Sequence, residues 1–382
     1  MAGSVPDLPG FQAPPEGAQE ILQEVASLLH RRSADFPGAQ PVSFSRRHIQ
    51  ALLNEDFLVC EKSDGLRCLM YLSAFYNDDS SSEERIYLIT RKGEVSWVQN
   101  LHVPAERGNP RPFQIGTLID GELVNSNDNK TRFFMFDLLA HEGKVLTDRS
   151  LDKRLGYLDQ MVYAPFAHFC RAEPQAAANF DFKIYMKTMS QAYRLDSVLS
   201  QKREHLSDGL IFTSVPAPYI FGTDKHILKW KPANENSVDF AIRLDFLHSD
   251  DPNTPTDYYS KPTVTLLVWA GSTDYDYAEL YLEDSEWETW KAMEEPLNYR
   301  IVEAVKDEKG QWRFLRFRDD KDHGNHVNVV EKVVESIEDS LTLEELSEYI
   351  PEIRSHSKER EASKKRPRVD SIEHSAKRRP IV

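Results

Sequence analysis

The sequence predicts an α+β fold with mixed antiparallel sheets, followed by a small all-β barrel, and three stretches of the chain indicate this. Short segments rich in β-forming residues begin at Phe57 and continue to about residue 139. A mostly helical stretch, 151–203, separates them from further strands, and helices mixed irregularly with strands are typical of the α+β class. Five short strands with turn signals between 239 and 318 then predict a closed barrel such as an OB-fold.

Local composition divides the chain further. Residues 1–17 are rich in Pro, Gly and Ala, helical spacing of apolar residues follows from Gln19, and Lys231–Asn236 has the composition of a linker. The expected parts are a flexible N-terminal arm (1–17), the α+β domain (18–235), the barrel domain (236–326), C-terminal helices (327–352) and a basic disordered tail (353–382).

Composition limits the functional class. A formal net charge of −15 argues against a protein that coats nucleic acid through its overall field, so such contacts should be local. Basic residues concentrate in 353–382, with ten Lys and Arg against four Asp and Glu. Three cysteines without a CxxC pair fit a reducing compartment. No apolar stretch is long enough to span a bilayer, so we expect a soluble intracellular protein without membrane contact.

The clearest local motif is Glu61-Lys-Ser-Asp-Gly-Leu-Arg67, which places Lys62 between a strand and a tight turn. A lysine of ordinary pKa, ~10.4, is almost entirely protonated at neutral pH and is a poor nucleophile. Burial or neighbouring cations lower that pKa and free the amine for attack. The motif alone fits an ordinary charged surface turn equally well, so the nucleophile assignment needs cations from elsewhere in the chain.

Two segments carry carboxylates suited to a divalent cation. Strand alternation puts Asp120 and Glu122 on one face, and Asp208 directly precedes an apolar strand. Mg²⁺ on a triphosphate needs few protein carboxylates, because phosphates and water complete its shell. Taken singly, each segment fits a turn at a strand edge better, so the prediction depends on their combination.

Cations and aromatic residues supply the remaining candidates. In Leu228-Lys-Trp-Lys-Pro, Lys229 and Lys231 share one strand face, where an anion such as phosphate would relieve their repulsion. A solvated edge strand explains them equally well. One aromatic residue of the apolar strand 132–139 can stack on a base, although core packing is the commoner case. Arg318 and Lys321 follow the last barrel strand, where they can hold phosphates.

The order of these motifs indicates a family more strongly than any one of them. From Pro41 to Val330 the chain reads KxDGxR, DGE, FxxFDxL, DGLIF, LKWKP and RxDK, which is the order found in covalent nucleotidyltransferases. The chain resembles the eukaryotic mRNA-capping guanylyltransferases, the fungal ones most of all, and these are related to ATP-dependent ligases. The resemblance implies a nucleotidyltransferase (adenylation-type) domain for the α+β part and an OB-fold for the barrel.

The resemblance also implies a role for each motif residue. Lys62 would form a lysyl-N-GMP intermediate, while Asp208 and Glu122 would hold Mg²⁺ or Mn²⁺. The residues implied to bind nucleotide are Arg67 and Arg91 at the ribose, Glu122 at the ribose or metal, Phe136 (with Phe134 as the alternative) and Ile211 on the two base faces, Lys229 and Lys231 at phosphates, Asp239 as a further acid, and Arg318 and Lys321 at the outer phosphates.

The implied reaction passes GMP from GTP to that lysine and then to a 5′-diphosphate RNA end, with closure of the barrel domain over the outer phosphates. No His-Cys-x₅-Arg loop occurs in the sequence, so the resemblance implies a separate RNA 5′-triphosphatase. It also implies binding to the phosphorylated C-terminal domain of RNA polymerase II, and a place in the nucleus. Lys364-Lys-Arg-Pro-Arg and Lys377-Arg-Arg suit a nuclear-import signal or an RNA-touching arm, with a plain solvated tail as the alternative.

Two other functions would use the same features. An ATP-dependent polynucleotide ligase shares the fold, but RxDK together with LKWKP favours the capping enzymes. A non-enzymatic scaffold that binds RNA polymerase would not need the intact Lys62, Arg67 and Asp208.

Overall fold

The structure, a computed structural model, describes residues 5–79, 81–232, 236–248, 256–258, 260–307 and 309–365. Three residues of the expected linker, 233–235, and residues 366–382 of the expected tail, with most of its basic motifs, lie outside these ranges. Within the described ranges, no helix is both long and apolar enough to cross a membrane.

Two mixed sheets form the larger, N-terminal part. The strands are, in chain order, β1 (Phe11–Gln12), β2 (Ala39–Ser43), β3 (Phe57–Ser63), β4 (Leu66–Tyr76), β5 (Ser82–Thr90), β6 (Val95–Val98), β7 (Pro104–Glu106), β8 (Asn109–Phe113), β9 (Thr117–Asn125), β10 (Thr131–His141), β11 (Lys144–Val145), β12 (Lys183–Met186), β13 (Ser190–Gln191), β14 (Ser207–Ser214) and β15 (Gly222–Trp230). The first sheet has the order β1-β6-β5-β4-β9-β10-β11, and the second has the order β13-β3-β14-β15-β2. Most pairs are antiparallel; β12 lies parallel to β10, and β2 lies parallel to β15. The predicted α+β class with mixed antiparallel sheets is therefore confirmed.

The helices pack around these sheets and around the barrel. They are α1 (Pro15–Leu28), α2 (Ile49–Asn54), α3 (Leu151–Tyr157), α4 (Ala164–Ala172), α5 (Pro174–Ala178), α6 (Leu195–Leu199), α7 (Asp284–Ala292), α8 (Val327–Glu338), α9 (Leu343–Glu348) and α10 (Ile350–Lys365). A π-helical turn, Leu158–Tyr163, joins α3 to α4, and 3₁₀ turns cover Arg46–His48 and Ala192–Arg194.

Strand β4 is covered on both faces, which explains its continuous apolar run. Successive side chains of a strand point to opposite faces of the sheet. Cys68 and Met70 accordingly pack in one core with residues of β10 and α4, while Leu69 packs in another with residues of α1. This central position makes β4 and its neighbours β5 and β9 the rigid base of the cavity described below.

The N-terminal segment differs from the expected flexible arm. Strand β1 pairs with β6, with Phe11 opposite Trp97, and α1 already begins at Pro15. Proline suits the first turn of a helix because its missing N–H would have no partner there. The sequence did not predict this ordered segment, because residues 10–14 show neither the alternation of apolar residues typical of a strand nor the spacing typical of a helix.

The C-terminal part contains the predicted all-β barrel. Its strands are β16 (Ser237–Asp245), β19 (Thr263–Trp269), β20 (Asp274–Tyr281), β21 (Ile301–Lys306) and β22 (Trp312–Phe317), closed in the order β16-β19-β20-β22-β21. A short hairpin, β17 (Leu247–His248) with β18 (Thr256–Asp257), lies off the barrel. Phe240 and Val302 are fully buried inside it, and Trp287 and Trp290 of α7 join the same core.

The segment after the barrel returns to the N-terminal part that contains the two mixed sheets. Leu341, Leu346 and Ile353 are buried in the core of the second sheet, and Trp230 Nε1 donates to Leu341 O at 2.8 Å. The expected disorder from residue 353 is therefore wrong as far as Lys365, because α10 continues through this stretch. Its high charge suggested a solvated tail, yet one side of the helix packs against α2.

Candidate active site

A cavity of about 340 Å³ is lined by residues of both mixed sheets. It brings together residues from β3, β4, β9, β10, β14 and β15, which are far apart in sequence. The predicted site residues that line it are Lys62, Arg67, Arg91, Glu122, Phe136, Ile211 and Lys229.

Lys62 lies on β3 and is held by a carboxylate. Its Nζ donates to Asp208 Oδ1 at 2.7 Å, and the other oxygen of Asp208 lies 2.5 Å from Lys231 Nζ. Burial raises the pKa of Asp208, but hydrogen bonds from Lys231 and Lys62 outweigh it, so the pKa lies below its ordinary value. An ionised Asp208 therefore bridges the two ammonium groups.

Glycine explains how Asp208 comes so close to both lysines. The pairing of β14 with β3 shifts register between Ser207 and Leu210, which turns the start of β14 toward β15. Gly209 in this shift has φ +149°, and a Cβ there would lie 2.1 Å from Trp230 O. Any larger residue would push the strands apart at the point where Asp208 reaches Lys231.

Lys229 adds a third cation beside the nucleophile candidate. It pairs with Ile211 across the β14–β15 ladder and lines the cavity. Burial, followed by the charges of Lys231 and Lys62, lowers the pKa of Lys229. Lys62 and Lys229 line one end of the cavity, and Lys231 lies behind them on Asp208 without lining it, so this end is strongly cationic and would stabilise phosphate groups.

Arg67 is fixed by a buried acid, Asp120, which the sequence suggested as a carboxylate suited to a divalent cation. Its Nε and Nη2 donate to the two oxygens of Asp120 at 3.1 and 2.6 Å, and Asp120 is fully buried. Tyr219 donates its hydroxyl to the same carboxylate, and Arg67 Nη1 donates to Ala39 O. The guanidinium thus lies in one place, 5.4 Å from the ring centroid of Phe136.

Of the three phenylalanines of β10, Phe133 is fully buried in the core, and the two candidates for the base, Phe134 and Phe136, have different surroundings. The β9–β10 ladder shifts register between Met135 and Asp137, so Phe136 lines the cavity. Phe134 does not line it and packs instead against Tyr185 and His205, at ring-centroid distances of 5.7 and 5.0 Å. The geometry therefore favours Phe136 over Phe134 as the aromatic face of the cavity.

Three predicted residues lie on the barrel and do not line the cavity. Asp239 is buried and accepts hydrogen bonds from Arg318 Nη1 at 3.0 Å and from Lys321 Nζ. Arg318 also pairs with Asp320 at 2.8 Å. In this arrangement Asp239 holds both cations on the barrel, apart from Lys62.

Comparison with known proteins agrees with this geometry. The family profile for the mRNA capping enzyme catalytic domain matches residues 4–233, and the profile for the mRNA capping enzyme C-terminal domain matches residues 235–347. The chain belongs to the mRNA capping enzyme family. It is similar to proteins named mRNA-capping enzyme subunit alpha from Yarrowia lipolytica (45% identical, covering 99% of each chain), Neurospora crassa (41%, covering 90% of this chain and 92% of the relative) and Schizosaccharomyces pombe (37%, covering 91% and 88%).

Several cavity residues of this family member escaped sequence reasoning as site residues. These are Tyr219, Glu61 and Lys187, which all line the cavity. Lys187 is 7% exposed, and its Nζ lies 2.9 Å from Glu61 Oε1. It follows β12, a strand inside the stretch predicted to be mostly helical, so nothing local indicated its position.

Glu122 is a carboxylate of the cavity whose pKa is strongly raised. Burial raises its pKa to about 7, although Lys187, Lys62 and Arg67 act in the opposite direction. Among the described residues, no group of three or more His, Cys, Asp or Glu side chains could hold a metal ion by itself. The carboxylates predicted to bind the cation are Glu122 and Asp208. Two carboxylates suit a hard cation that takes most of its oxygen ligands from phosphates and water.

Proposed function

We propose that this chain is an mRNA guanylyltransferase that transfers GMP from GTP, through lysyl-N-GMP on Lys62, to a 5′-diphosphate RNA end. The observation that carries this proposal is the position of Lys62 in the cavity, bound to Asp208 and flanked by Lys229 and Lys231, in a member of the capping enzyme family. An ATP-dependent polynucleotide ligase remains the alternative that the experiment below separates.

In the first step Nζ of Lys62 releases a proton to solvent water, and its free electron pair attacks the α-phosphorus of GTP. The bond to the bridging oxygen breaks, and pyrophosphate leaves. Asp208 orients Nζ through its 2.7 Å contact, and Lys229 and Lys231 neutralise charge that collects on the phosphate oxygens. In the second step a terminal oxygen of the RNA diphosphate attacks the same phosphorus, the phosphorus–nitrogen bond breaks, and Lys62 leaves as an amine that takes up a proton from solvent.

The nucleoside would occupy the other end of the cavity. Phe136 and Ile211 both line it and come from different sheets, so a purine can lie between them. Arg67, fixed by Asp120, and Arg91 are the donors for the ribose. Rigid donors of this kind need little reorganisation when the ligand enters.

We expect Mg²⁺ or Mn²⁺ to act with Glu122 and Asp208. When bound, the cation would reduce the negative charge of the triphosphate. Glu122, with a pKa of about 7, loses its proton readily when a cation approaches, so this residue is suited to the role.

The barrel would contribute Arg318 and Lys321 after a movement. Both cations are held by Asp239 and lie outside the cavity lining, so they reach outer phosphates only if the barrel closes. Domain closure of this kind also excludes water and orders the leaving group.

The name subunit alpha among the relatives supports a partner subunit, which we propose to be an RNA 5′-triphosphatase. Capping of messenger RNA places the chain in nuclear RNA processing. We propose that the phosphorylated C-terminal domain of RNA polymerase II recruits it, and that the basic tail serves import or touches RNA.

Labelling with α-³²P nucleotide tests the proposal. Wild type with Mg²⁺ should form a covalent adduct with GTP, and Lys62→Ala should form none. Lys153→Ala, at an exposed lysine of α3, is the matched control and should label like wild type. Labelling by ATP instead of GTP would favour the ligase alternative, and an undiminished adduct in Lys62→Ala would refute the nucleophile.

A further inference from the structure

A second polar cluster borders the cavity, and the proposed mechanism gives it no role. It consists of Glu61 and Ser63, which flank Lys62 on β3, with Lys187 after β12 and His205 before β14. All four side chains are largely buried, and His205 is 8% exposed. Burying two ionised groups and an imidazole is costly, so their partners must be well placed.

The contacts link all four members. Lys187 Nζ lies 2.9 Å from Glu61 Oε1 and donates to Ser63 Oγ. His205 Nε2 lies 2.9 Å from Ser63 Oγ and 3.6 Å from Glu61 Oε1. Phe134 covers the cluster, with its ring centroid 5.5 Å from Lys187 Nζ and 5.0 Å from the His205 ring. Phe134 does not line the cavity, and packing against this cluster explains its position.

The hydrogen-bond directions follow from the donors. An ammonium has three N–H donors and no acceptor, so Ser63 Oγ accepts from Lys187 and its hydroxyl donates a hydrogen bond to His205 Nε2. Burial and the charge of Lys187 lower the pKa of His205, which favours the neutral imidazole that this pattern needs. Two donors of Lys187 are thereby used, and the third remains for an acceptor in the cavity.

We propose that His205 is a positioning residue of the nucleotide site, which acts through Ser63 to hold the Lys187 ammonium, itself paired with Glu61, against the bound nucleotide. His205 itself does not line the cavity, so it touches no substrate. The inference rests on the proposed function, because it assumes that GTP occupies this cavity.

The test measures adduct formation at increasing GTP concentration. His205→Ala should raise KM for GTP about tenfold. Without His205 the Ser63 hydroxyl is no longer held in place, and this weakens the charge-assisted hydrogen bond that Lys187 donates to it. The rate at saturating GTP should stay unchanged, because Lys62 and Asp208 keep their contact. His205→Gln, whose amide oxygen can accept from Ser63, should restore most of the affinity.

His102 supplies a matched control. It is partly buried, its Nδ1 lies 2.6 Å from a glutamate, Glu84, and its ring centroid lies 4.9 Å from that of Phe169, yet it does not line the cavity. His102→Ala should leave KM unchanged. An unchanged KM in His205→Ala, an equal rise in His102→Ala, or a loss confined to the saturated rate would each overturn the inference. If wild type forms no adduct with GTP, the proposed function fails, and the inference fails with it.

Discussion

At the scale of single residues, protonation of Glu122 couples the cavity to pH. Its folded-state pKa of about 7 lies above the ordinary value of 4.5, so the folded state binds the proton more tightly. Its contribution to stability is complete below about pH 4.5 and is lost as pH rises to about 7. Glu122→Gln cannot ionise, so the mutant should gain thermal stability over wild type across that range and keep the gain at higher pH.

Thermal melts of the metal-free, nucleotide-free protein across this pH range check this prediction. Glu173→Gln, at an exposed position, is the control and should follow wild type throughout. Parallel curves for wild type and Glu122→Gln would show that burial does not raise the pKa of Glu122.

Replacing Asp208 should change the rate at which the covalent adduct forms on Lys62 more than it changes the binding of GTP. Asp208→Asn removes the charge that holds Lys62 Nζ and Lys231 Nζ on its two oxygens. A small misplacement of a reacting group costs about 10²-fold in rate, so we expect adduct formation to slow by at least that factor. Single-turnover labelling at saturating GTP measures it, with exposed Asp196→Asn as control. A rate close to that of wild type would remove Asp208 from the mechanism.

The sequence predicted some residues of the candidate site but not others, and it did not predict how they contact one another. Lys62, Asp208 and Lys229 belong to short motifs, which can be recognised without a structure. Their pairing could not be, because Lys62 and Asp208 are 146 residues apart and meet only through the β3–β14 register. Lys187 was missed altogether, since its position depends on a parallel pairing of β12 with β10.

At the scale of elements, α10 braces the strand that carries Lys62. Arg360 donates to Asp56 Oδ1 at 2.8 Å and to the carbonyl oxygens of Leu53 and Glu55, at the end of α2 and just before β3. These contacts satisfy carbonyls that the helix itself leaves unpaired. Charge composition alone predicted disorder here, because long charged side chains that pair locally resemble those of a solvated tail.

Arg360→Ala should therefore destabilise the nucleotidyltransferase part. A hydrogen bond to a charged partner contributes about 1.5–3 kcal/mol, and Asp56 would keep only its contacts to Ser357 and Lys364. Differential scanning calorimetry should show a lower Tm for this variant. Lys358→Ala, exposed on the same helix, should melt like wild type, and an equal Tm for both variants would contradict the bracing role.

At the scale of the whole molecule, the barrel is joined to the catalytic part at two places. The chain enters it after Lys231 and leaves it through α8, beyond which Leu341 is buried against Trp230. The sequence predicted a barrel domain and its closure, but it could not show how Asp239 holds Arg318 and Lys321 before GTP binds. That detail depends on β16 lying beside β21 in the closed barrel.

Closure should be visible in solution if Arg318 and Lys321 exchange Asp239 for the outer phosphates. Adding GTP and Mg²⁺ to Lys62→Ala, which can bind but not react, should reduce the radius of gyration measured by small-angle X-ray scattering. The double variant Arg318→Ala with Lys321→Ala, made in the Lys62→Ala protein, should lose most of this compaction because the barrel then lacks the two cations proposed to contact the outer phosphates. Arg313→Ala, on β22 but paired with Glu283 and Glu286, is the matched control and should still compact. If the radius of gyration stays the same with and without GTP in every variant, the barrel does not close, and the proposed contact of Arg318 and Lys321 with the outer phosphates through closure is wrong.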